Sequence, residues 1–160
     1  MQTATLTEIR KELATYPADE LAKVCLRMAR FAKGNKELLT YLLFDSNHEE
    51  GYIEDMQNWV EEGFEEIDFR TRYFAMKKLR KILSALKKKI RYSGNKITEI
   101  RLLLFFCEKV IENDWPIIDS TSLNKMLHQQ TKRASTILNG LHEDLKMDFQ
   151  RRIEDIVMSL

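Results

Sequence analysis

The sequence predicts an all-α protein, and three observations carry that prediction. Glycine and proline are scarce, five and two in 160 residues, while charged residues make up 32%. That balance suits helices and leaves few turn residues for a many-stranded fold. Apolar residues recur at helical spacing along most of the chain. Finally, the tripeptide Gly-Asn-Lys occurs twice, at 34–36 and 94–96, each time between two helical patterns. A glycine just past a helix end can take the left-handed conformation, and an asparagine after it can cap the next helix. Two such corners predict antiparallel αα-hairpins, stacked as a repeat or gathered into an irregular bundle, in a single domain over 1–160. A chain of this length can bury about 70% of the surface its unfolded form exposes, so its core needs no crosslinks.

The elements follow in order. Thr5 and Glu8 form a T-x-x-E capping box ahead of Ile9 and Leu13, which predicts a first helix over 6–16. Pro17 ends it and seats the next. Leu21, Val24, Cys25, Met28 and Phe31 then lie on one helical face, and Gly34 is expected to stop that helix. The helix expected over 36–44 carries Leu38, Leu39, Leu42, Leu43 and Phe44. A helix apolar on most sides is normally surrounded by others, so burial is expected here.

A further helix is expected over 47–69 through Tyr52, Ile53, Met56, Trp59, Val60, Phe64 and Ile67. Gly51 and Gly63 make it weaker than its neighbours or mark close approach by another element. The aromatic residues Tyr52, Trp59 and Phe64 fit the same stripe and read as core. Next comes a helix over 72–92. The second corner then feeds one over 97–112, whose centre LLLFFC again reads as buried. After a turn containing Pro116, Asp119 or Ser120 can cap a last helix with an apolar stripe from Leu123 to Leu160, ten steps over 37 residues. Unbroken, it would measure about 57 Å. It must break near Asn139 and Gly140, or residues 141–160 project as a long C-terminal arm that needs a partner.

Cys25 and Cys107 lie inside apolar patterns and do not form a disulfide framework. The first residues lack the basic-then-apolar pattern of a signal peptide, and the longest apolar run is too short to span a bilayer. A cytoplasmic location without membrane partners is the resulting expectation.

Net charge is only +1, yet its distribution is uneven. Residues 38–69 contain no Lys or Arg, whereas 70–101 contain twelve against the single acid Glu99. One reading is a phosphate-binding stripe on the basic helix, with Lys77, Lys78, Lys81, Lys87, Lys88 and Arg91 as the nucleic-acid site. The preferred reading is that consecutive helices of opposite charge lie side by side and neutralise each other, because the overall pI is near neutral.

No catalytic pattern stands out. His48, His128 and His142 belong to no H-E-x-x-H or E-x-x-H pair, and no Cys-x-x-Cys, phosphate-cradling glycine loop or G-x-S-x-G elbow is present. No cofactor, metal or catalytic residue is expected. The segments FAKGNKELLTYLLFD, RYSGNKITEIRLLLFFCE and LHEDLKMDFQ resemble a family of small bacterial all-helical proteins of unknown function. That resemblance spans about 13–150 and implies no activity. The first functional expectation is therefore a non-enzymatic protein–protein interaction or scaffold module. It would act through another protein or by self-association of the C-terminal helix. Nucleic-acid binding by helix 77–91 is the alternative.

Overall fold

A computed structural model describes residues 2–113 and 121–160, and every described element is helical. The helices are α1 (Leu6–Leu13), α2 (Ala18–Phe31), α3 (Lys33–Thr40), α4 (Glu49–Glu65), α5 (Arg72–Ser93), α6 (Lys96–Glu112), α7 (Thr121–Leu138) and α8 (Glu143–Met158), with a π-helical turn Tyr41–Asp45 after α3. The expected turn at Pro116 and the cap at Asp119 or Ser120 lie outside the described residues. The chain divides into two compact units, Met1–Phe44 and Asp45–Leu160.

The two Gly-Asn-Lys copies do different work. At the second, Gly94 closes α5 in the left-handed conformation (φ 65°), and the Asn95 side chain accepts from the amides of Ile97 and Thr98 at the start of α6. Glu49 of α4 pins this corner by accepting from the hydroxyls of Ser93 and Thr98. At the first copy the expected corner does not form. There α2 stops at Phe31 because Ala32 is extended (φ −145°, ψ 139°), and Gly34 sits inside the first turn of α3. Asn35 turns backward, its side-chain amide donating to the Met28 carbonyl at 3.0 Å. It therefore serves the end of the preceding helix.

In the second unit, α6 packs against α4, α5, α7 and α8. That position explains its composition: Leu102, Leu103 and Leu104, three residues in succession, are buried together with Ile100, Phe106, Cys107 and Val110. Phe106 meets Phe64 of α4 edge to face, with ring centroids 5.6 Å apart. α5 presses on α4 at Gly63, where a Cβ would come within 3.2 Å of the Ile82 side chain, so the glycine there marks close approach. Tyr52 is buried and donates its hydroxyl to the Lys89 carbonyl at 2.9 Å, consistent with a core role.

The terminal stripe does not form one long helix or a projecting arm. The helix breaks after Leu138, and amide bonds from Gly140 to Ile137 and from Leu141 to Leu138 tighten its end. α8 then packs on α6 and α7, with Ile153 and Ile156 buried. Arg152 makes a two-toothed pair with Glu108 at 2.7 Å for both bonds. Breaking the stripe lets both halves bury apolar side chains that one straight rod would leave in water.

The first unit is different. No residue of α1, α2 or α3 is buried. The expectation that 36–44 is enclosed is therefore overturned: Leu42, Leu43 and Phe44 are exposed, and among the described residues of that segment only Tyr41 is buried.

Candidate functional site

Two surfaces stand out, one in each unit. The first is carried by α5, which holds nine cations and no acid from Arg72 to Ser93. Ala75, Met76, Leu79, Ile82, Leu83, Leu86 and Ile90 form its buried face, so the remaining positions must face water. Helical phase puts the predicted residues Lys77, Lys81 and Lys88 along the middle of the outer face, with Lys87 and Arg91 along one margin. Lys78 lies on the other margin, paired with Glu66 at 2.9 Å.

The acidic α4 segment does meet cations across helix boundaries, as the neutralising reading requires. Besides Lys78 with Glu66, Arg101 of α6 pairs with Glu50 at 2.6 Å and Lys109 with Glu61 at 2.9 Å. Hydrogen bonds that Lys109 donates to Glu61 and Glu112 raise its pKa. Lys89 lies over the Trp59 ring at 5.2 Å, and Lys88 over Tyr92 at 5.9 Å. Neutralisation is incomplete, because Lys77, Lys81, Lys87 and Arg91 make no ion pair among the described residues.

Residues not singled out in the sequence extend this surface. α5 and α7 both pack on α6 and leave a furrow between them. Its two parts, of about 400 and 570 Å³, share Lys87, Gln129 and Gln130. One part adds Arg80, Ser84, Ser122 and Lys125, and the other Arg91, Lys96, Glu99 and Arg133. Arg80 donates across to the Ser122 hydroxyl at 2.8 Å. Glu99 accepts from Arg133 at 2.6 Å and lies 3.7 Å from Lys96; its hydrogen bond raises the Arg133 pKa. The local signal for the α7 side was the four-residue spacing of Lys125, Gln129 and Arg133, which puts all three on one face. Nothing local says that this face turns toward α5.

The second surface is apolar and belongs to the first unit. Leu6, Leu26, Met28, Phe31, Leu42, Leu43 and Phe44 are all more than half exposed. A groove of about 690 Å³ between α2 and α3 is floored by Leu26, Ala29, Leu39, Leu43 and Phe44, with Arg30, Lys33 and Lys36 around it.

Burial pushes the Cys107 thiol up to about 12, with the Glu108 charge adding to the effect, which makes it an inert core sulfur. Among the described residues no group of three or more His, Cys, Asp and Glu side chains is placed to hold a metal, and no helix is long and apolar enough to cross a membrane. Set against protein-family models, curated proteins and solved structures, the chain matches none.

Proposed function

We propose that this chain is a helical interaction module that pairs with a second copy of itself through its first unit. The carrying observation is the uncovered apolar surface of 6–44, where Phe31 is 88%, Phe44 75% and Leu43 60% exposed. Large apolar side chains exposed in this number on one short segment mark contact sites more often than isolated exposed leucines do. The C-terminal helix is a poorer candidate for the same role, since α8 already packs on α6 and α7.

Charge on α2 favours a second copy as the occupant. Its first turn carries Asp19 and Glu20, and its later turns carry Arg27 and Arg30. Helical phase puts Glu20 and Arg27 on one margin of the stripe Leu21, Val24, Cys25, Met28 and Phe31, so two α2 helices laid antiparallel along it bring each Glu20, already 2.7 Å from Lys23 of its own helix, to the partner's Arg27. This is the self-complementarity that a two-fold interface requires. Covering a side chain such as Met28 or Phe31 contributes about 1.5–3 kcal/mol, and two-fold symmetry counts each residue twice.

Light scattering on the intact chain across a concentration series tests this. A dimer is expected, reverting to monomer in Met28→Asp/Phe31→Asp with helix content unchanged by circular dichroism. An intact chain that stays monomeric at every concentration removes the second copy. Capture of a different helical protein by the same surface would then identify the occupant.

A further inference from the structure

We infer that the furrow between α5 and α7 binds single-stranded polynucleotide, with the sugar–phosphate backbone along its cations and bases stacked at the α5 end. This rests on the second unit alone and is independent of self-association. Four residues form one line on α5: Tyr73, Arg80, Lys87 and Arg91, at spacings of seven, seven and four. At 1.5 Å per residue that line is about 27 Å long. Across the furrow, Lys125 and Gln129 face the same space, so phosphates can be met from two sides. Arg80 is already held toward α7 by its bond to Ser122, and Arg133 is held by Glu99. These side chains are thus partly ordered before any ligand arrives, which lowers the entropic cost of binding.

The aromatic end decides for a single strand. Tyr73 is 70% and Phe74 59% exposed, their rings edge to face at 5.4 Å. A cationic track ending in exposed rings suits a strand whose bases are free to stack; in a duplex the bases are already stacked on each other. Acidic protein segments would use the cations but have no need of the rings.

Fluorescence anisotropy with labelled 12-nucleotide single-stranded RNA and DNA of one mixed sequence, the matching duplex and inorganic polyphosphate separates the possibilities. Both single strands are expected to bind, one more tightly if the 2′-hydroxyl is read. Three to five neutralised phosphates give a log–log salt slope of about −2 to −3.5. Lys87→Glu/Lys125→Glu should weaken binding by about tenfold or more, with an unchanged melting temperature showing that the fold persists. Lys11→Glu/Lys23→Glu, the same charge change in the first unit, should leave affinity within about twofold, since those sites contact no backbone. Tyr73→Ala should weaken the single strands severalfold and polyphosphate not at all. No binding at low salt, equal affinity for duplex and single strand, or equal losses in the two charge variants would overturn the assignment.

Discussion

At the residue scale, two glycines followed by the same two residues, Asn and Lys, have opposite meanings. Gly94 has a positive φ, and no atom beyond its chain neighbours would meet an added Cβ, so backbone conformation is its whole requirement. Gly94→Ala should therefore lower stability by about 1 kcal/mol, read from the denaturant midpoint. Gly34 lies in the first turn of α3, where alanine is the better helix former. Gly34→Ala should leave the midpoint unchanged or raise it. The tripeptide is equally compatible with both settings. What differs is Ala32, two positions before the first glycine, where the chain already leaves the helix.

At the element scale, capping chemistry was legible wherever it is local. The Thr5–Glu8 box forms as the sequence predicts: the Thr5 amide donates to Glu8 Oε2 at 2.7 Å and the Thr5 hydroxyl accepts from the Glu8 amide. The bond from the Thr5 amide, followed by that from its hydroxyl, lowers the Glu8 pKa. A depressed folded-state pKa means the contribution is fully present above the unfolded value, near 4.5, and is lost as pH falls through the lowered value. Helical chemical shifts of Leu6–Leu13 should therefore hold down to about pH 5 and weaken on further acidification. In Thr5→Ala they should be weakened at neutral pH, with less further loss on acidification. The last stripe was legible as apolar periodicity with a break near Asn139 and Gly140 as one of two outcomes, and the break is what forms. Periodicity continued through Gly140, and only packing on α6 decided the fold-back.

For the molecule as a whole, buried apolar side chains divide unequally between the two units. The core from Ile53 to Ile156 lies in the second unit, and no described residue of α1, α2 or α3 is buried. Native-state hydrogen exchange at low protein concentration should show slowest exchange in α6 and the facing turns of α5 and α7. Amides of α1–α3 should exchange orders of magnitude faster, because local opening there exposes little that is buried. Raising the concentration should protect α2 selectively if two copies pair along it. Protection spread evenly over both units would contradict this division of the core.

Sequence by itself determined the helical class, the cap at Thr5 and Glu8 and the cations of α5, because each follows from neighbours within a few turns. Tertiary structure alone decided that α7 supplies the other bank of the furrow and that the C-terminal stripe folds back. It also decided that the leucines of 38–43, as apolar as those of α6, remain at the surface. A side chain's apolarity states that it needs cover, whereas the source of that cover depends on which distant helices reach it. That is a property of packing geometry and is not encoded in the local pattern.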